Sequence, residues 1–91
     1  MKKQKSITYF RSSNFYLTAF LIAKGMILTE VDKTDPRRAQ FVLVDAPERE
    51  ALLDGFNFGG KEDQIARVDA RDFIAAIKAL KDKLYQDNSS V

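Results

Sequence analysis

The chain reads as an α+β domain. Its elements follow the order β-α-β-β-α-β-α, with a small antiparallel or mixed sheet and helices packed on one face. Three observations predict this. Short β-branched and aromatic runs alternate with stretches of helical period. Gly, Asn, Asp and Pro stand between these runs, where chain reversals are expected. And 91 residues suffice for one domain but not two. Without the last helix the order matches the ferredoxin-like split βαβ pattern. The alternative is a hairpin or three-stranded sheet with helices on one side that does not close into that topology.

Residues 1–5 form a basic tail, 6–86 the folded domain and 87–91 a disordered tail. Ser6–Phe10 (SITYF) is β-branched and aromatic, a short strand. Ser12, Ser13 and Asn14 each offer a side-chain oxygen to the free N–H groups that open a helix. That helix spans about 14–24 and stops at Gly25, which accepts a left-handed backbone without steric cost. Only Thr18 is clearly polar between Phe15 and Ala23. A helix apolar all round is covered all round.

Met26–Val31 (MILTEV) and Ala39–Val44 (AQFVLV) form a β-hairpin around a polar turn that contains Pro36. Phe41 and Leu43 point to one face and Val42 and Val44 to the other, so this strand is central. Pro47 suits the first position of a second helix, and Glu48 and Glu50 complement its dipole. Leu52, Leu53 and Phe56 are its apolar side; Gly55 weakens it, and Asn57–Gly60 ends it. Gln64–Val68 is a short edge strand. Asp69 caps the last helix, about 70–86, with Asp72 placed for a weak capping box. Phe73, Ile77, Leu80 and Leu84, with Ile74 beside them, give it the clearest apolar face in the chain.

Composition removes several chemistries. Histidine and cysteine are both absent. The commonest general base and the commonest metal ligand are therefore missing, as are thiolate sites and Ser-His-Asp or Cys-His triads. No disulfide framework exists, which favours a reducing, cytoplasmic setting. Lys2, Lys3 and Lys5 ahead of the Phe15–Ala23 run have the outline of a secretory leader, but Arg11–Asn14 interrupts it and cleavage would remove core residues. The run is too short to span a bilayer, which takes roughly 20 residues. Seven Phe and three Tyr supply a core. A chain of this size still buries only about 60–65% of its unfolded surface, so a second subunit would help to cover it.

The carboxylates have structural work. Asp69 with Asp72 and Glu48 with Glu50 stand at helix starts; Glu62 and Asp63 lie in a loop. Asp32 and Asp35 lack the acidic density of a calcium loop. Gly55 and Gly60 are five apart ahead of Lys61, but Glu62 stands where a phosphate loop needs Ser or Thr, and a strand-like stretch follows. No cofactor, metal or catalytic residue is expected, and the chain reads as non-enzymatic.

Two surfaces remain for function. The first helix places Tyr16 and Phe20 as candidates for a partner interface, the partner being a second copy or another protein. Lys33, Arg37 and Arg38 on the hairpin turn, with Arg67 and Arg71 at the start of the last helix, are candidates for nucleic-acid contact. A net charge of +2 does not by itself mark a nucleic-acid binder. The first reading is preferred: a homodimeric interaction or assembly module using the first helix or a sheet edge, with no membrane association.

The segments Asn14–Gly25, Ala39–Asp45 and Val68-Asp69-Ala70-Arg71 through Leu80-Lys81 together resemble a family of short bacterial domains of unknown function. That family shows a YLAAFLLAKG-like helix, a strand ending in Phe-x-Phe or similar, and a VDAR-like start to its final helix. Phe41-Val42-Leu43 is a conservative departure from the strand pattern. The resemblance covers about three-quarters of the chain and implies no activity and no functional residues.

Overall fold

The computed structural model describes residues 6–86. The expected tails, 1–5 and 87–91, lie outside the described residues. The element order is β1 (Tyr9–Ser12), α1 (Phe15–Ala23), β2 (Leu28–Asp32), β3 (Gln40–Val44), α2 (Arg49–Phe58) and α3 (Ala70–Leu84). The three strands form one antiparallel sheet in the order β1-β3-β2. β3 is central, as its two apolar faces predict. β1 and β2 run parallel to each other on either side of it, joined by α1. This is the split βαβ unit without a fourth strand.

The first strand begins and ends later than SITYF suggests. Arg11 and Ser12 belong to it, because Arg11 finds carboxylate and amide partners across the sheet, at Asp32 and Gln40. Ser12 therefore does not cap α1. Asn14 does, its Oδ1 accepting from the Leu17 N–H at 3.0 Å. At the other end, the Gly25 N–H donates to Ile22 O and the Met26 N–H to Leu21 O, both at 2.9 Å. These are the two bonds of a Schellman motif. Gly25 has φ +111°, which its lack of a Cβ permits. Met26 and Leu21 then meet in the core, the apolar contact that accompanies this motif.

All three helices cover the same sheet face. Phe10, Leu28, Phe41 and Leu43 point into it. Leu28 and Val31 share this face although three residues apart, because a bulge between Leu28 and Glu30 resets the alternation. One part of the core joins Phe20, Leu21, Met26, Leu43 and Leu52; the other joins Ala19, Phe41, Ala76 and Leu80. Ile22, Leu28 and Phe73 border both. α1 is enclosed between the sheet, α2 and α3, which accounts for its nearly continuous apolar sequence. Its buried Thr18 is satisfied by donating to Asn14 O at 2.7 Å.

Two further expectations need correction. Helix α2 begins at Arg49, not at Pro47, which lies in the turn before it. Residues 64–68 form turns and irregular backbone instead of a strand. There the Asp63 carboxylate accepts from the Ile65 N–H at 2.9 Å and the Lys24 ammonium donates to Arg67 O at 2.6 Å. These bonds give backbone groups of the segment partners without a sheet neighbour. The segment folds back on α2 so closely that a Cβ on Gly55 would lie 2.6 Å from Ile65 Cγ2. In α3, Phe73, Ile77 and Leu84 turn inward with Ala76 and Leu80, but Ile74 is exposed. No helix among the described residues is long and apolar enough to cross a membrane.

Candidate interaction surface

The structure separates the residues that the sequence proposes for one interface. Phe20 is 3% exposed and packs its ring 5.2 Å from that of Phe56, so it is a core residue and presents nothing to a partner. Tyr16 is exposed, at one end of a shallow groove it shares with Phe15, Lys81, Leu84 and Tyr85.

The basic residues are also divided. Lys33, Arg37 and Arg38 are exposed in the loop between β2 and β3. The Lys33 ammonium donates to Gln86 O at 3.2 Å, just beyond the C-terminus of α3. Arg67 and Arg71 are exposed at the opposite end of that helix. Fifteen helical residues, roughly 22 Å, lie between the Lys33 contact and the Arg67/Arg71 end. Lys33 and the Arg67/Arg71 pair do not form one patch. Within the hairpin loop, Asp32, Asp35 and Arg38 line one shallow depression with Thr34 and Gln40, so both signs of charge are interspersed. Asp69 caps as expected, its side chain accepting from Arg71 N–H and Asp72 N–H, whereas the side chains of Asp72 and Glu48 make no cap bond. Among the described residues no three acidic groups are placed to hold a metal ion.

The sheet face away from the helices is open. Tyr9, Arg11, Thr29, Glu30 and Val42 line a depression on it. Arg11 reaches from β1 over β3, donating to Asp32 Oδ2 and to Gln40 Oε1, each at 3.0 Å. Val42 lies beneath this network and is only 4% exposed. Asp32 also accepts from the hydroxyl and the backbone N–H of Thr34. These Thr34 bonds, with that from Arg11, hold its carboxyl well below the usual range, at about 2. Beside β1, Arg49 donates twice to Asp45 and stacks 4.6 Å from the Phe10 ring centroid. The Arg49 bonds lower the Asp45 carboxyl, and that carboxylate in turn raises the guanidinium. Alternation along β1 sorts its side chains by face. Ile7, Tyr9 and Arg11 fall on one face, Thr8, Phe10 and Ser12 on the other.

The two edges of the sheet differ. β2 is guarded: it carries the bulge, and Glu30, Asp32 and the following Lys33 place charges along it. Such features discourage pairing with another strand. β1 has no bulge against β3, no proline and no lysine, and its single charge, Arg11, is drawn inward to Asp32. Ile7 and Tyr9 are 64% and 55% exposed there.

The hydrogen-bond phase shows which backbone groups this edge offers. The Asp45 N–H donates to Thr8 O at 2.9 Å, and the β1–β3 register pairs Phe10 with Leu43 and Ser12 with Phe41. In an antiparallel ladder, hydrogen-bonded pairs alternate with non-bonded ones. Thr8, Phe10 and Ser12 therefore direct their N–H and C=O groups to β3. Tyr9 and Arg11 direct theirs outward, where no described residue receives them.

No curated protein and no solved structure matches the chain. A family model does, over residues 7–86, which include every element from β1 to α3, and the chain accordingly belongs to DUF5659, a domain of unknown function.

Proposed function

We propose that this protein is a non-catalytic interaction module that works as a homodimer in the cytoplasm. The observation that carries this reading is the unguarded edge of β1 beside a guarded β2. An exposed strand edge is a template for another strand, and proteins that do not use such an edge usually protect it. Ile7 and Tyr9 add exposed apolar surface beside the same edge. A thin core favours association for the same reason, since pairing buries surface that a small domain leaves open. Absence of cysteine suits a reducing compartment.

Light scattering over a concentration series tests the reading. The expected particle has twice the 10.4 kDa chain mass. A strict monomer at high concentration would remove the dimer from consideration.

A further inference from the structure

We infer that two copies join through β1 in one particular antiparallel register, with Tyr9 opposite Arg11 of the partner subunit and Phe10 opposite Phe10 of the partner subunit. This rests on the homodimer reading above and specifies its contact. The result is a continuous sheet in the order β2-β3-β1 followed by the partner's β1-β3-β2.

Three properties of the strand select this register. The first is backbone phase. Tyr9 and Arg11 are the residues of β1 whose N–H and C=O groups point away from β3. An added antiparallel strand bonds only to such outward residues. The register must therefore pair outward residues with outward residues, and Tyr9 with Arg11 of the partner subunit meets that condition reciprocally across a two-fold axis. Continued along the chain, it sets Ile7 opposite Ser13 of the partner subunit, and both are exposed in the single subunit.

The second is side-chain identity. The register one step to one side sets Arg11 opposite Arg11 of the partner subunit, and like charges directly opposed are destabilising. A step to the other side sets Tyr9 opposite Tyr9 of the partner subunit and leaves each Arg11 facing Ile7. The chosen register brings each guanidinium stem beside an aromatic ring on the open face, a favourable cross-strand contact.

The third is the pair on the axis. Phe10 is a non-bonded position toward the partner, where opposed side chains come closest. It lies on the helix-covered face, only partly buried, with Arg49 over its ring. Two such rings on the axis extend the core of one subunit into the next. Two-fold symmetry about an axis normal to the sheet keeps the helices of both subunits on the same side and leaves one broad open face carrying Tyr9, Arg11, Glu30 and Val42 from each.

The test uses two kinds of variant. Tyr9→Pro removes an N–H that is directed only at the partner and leaves the ladder to β3 intact, since an edge strand tolerates proline at such a position. The dimer should dissociate to the 10.4 kDa chain with an unchanged circular dichroism spectrum. The second kind exploits the absence of cysteine. In the double variant Tyr9→Cys/Arg11→Cys, opposed Cα atoms lie about 5.5 Å apart, within disulfide reach. Mild oxidation should convert most of it to a covalent dimer on a non-reducing gel. Either cysteine alone meets its own copy two positions out of register, beyond that reach, and should stay uncrosslinked. A wild-type dimer that survives Tyr9→Pro and gives no crosslink in the double variant overturns the β1 contact while leaving the homodimer reading in place. Efficient crosslinking of a single-cysteine variant overturns the register. A monomeric wild type removes both.

Discussion

At Asp32 the two Thr34 donors and the Arg11 guanidinium converge on one carboxylate. The bonds lower its folded pKa from 3.8 to about 2, so they favour the folded state wherever the carboxyl is ionised. Their contribution is complete above the unfolded value of 3.8 and is lost as pH falls through about 2. A carbon-detected NMR titration should place the Asp32 midpoint near 2, and Asp32→Asn should flatten the acid limb of the melting-temperature profile below 3.8. A midpoint at an ordinary carboxylate value would contradict the geometry. Gly55 poses the opposite problem, since helix propensity favours its replacement. Alanine would gain up to about 1 kcal/mol in the α2 interior. Its Cβ would also meet Ile65 Cγ2 at 2.6 Å and Ile65 Cβ at 3.2 Å. Overpacking against a stiff β-branched side chain costs roughly 1–3 kcal/mol. Gly55→Ala should therefore lower stability by about 1 kcal/mol in a urea melt. In an Ile65→Ala background the same change should be neutral or stabilising.

Among the elements, α1 shows how far a local pattern can be trusted. Asn14, Gly25 and the apolar run all act as their chemistry predicts. Leu21 is fully buried within this helix, and Leu21→Ala should cost about 2–5 kcal/mol, measured as a shift in the urea midpoint at constant slope. The segment 64–68 shows the limit. Its residues have fair strand propensity, yet Asp63 and Lys24 supply its backbone groups with partners before any strand neighbour does. Lys24→Met keeps the apolar stem over Phe20 and removes the donor. Amides of residues 64–68 should then exchange faster, with a global loss of roughly 1 kcal/mol or less. Unchanged exchange would mean that Lys24 does not hold this loop.

For the whole molecule, the placement of charge bears on the nucleic-acid alternative. Lys33 reaches the C-terminal end of α3, whereas Arg67 and Arg71 stand at its start. A gel shift at about 50 mM salt should show at most weak binding, and Arg37→Glu with Arg38→Glu should change it little. Strong, salt-sensitive binding lost in that double variant would restore the alternative. The dimer, by contrast, predicts slow exchange for the Tyr9 and Arg11 amides at high protein concentration and fast exchange on dilution. The guarded edge at β2 should not respond in this way.

The sequence by itself determined the class of fold, the central place of β3, the caps at Gly25 and Asp69, and membership of a family of short domains without an assigned function. Those features depend on periodicity and on contacts a few residues apart, which a linear chain displays directly. Only the tertiary structure decided that Phe20 belongs to the core, that the basic residues stand apart, that residues 64–68 form no strand, and that Arg11 continues β1. Each of these turns on a neighbour distant in sequence: Phe56 for Phe20, α3 for the arginines, Lys24 for the loop, Asp32 for Arg11. A hydrogen bond or a packed ring satisfies a group wherever its partner originates, so propensity yields to whichever partner the fold brings closest. The free edge of β1 belongs to the same class, because an edge exists only once its sheet has formed.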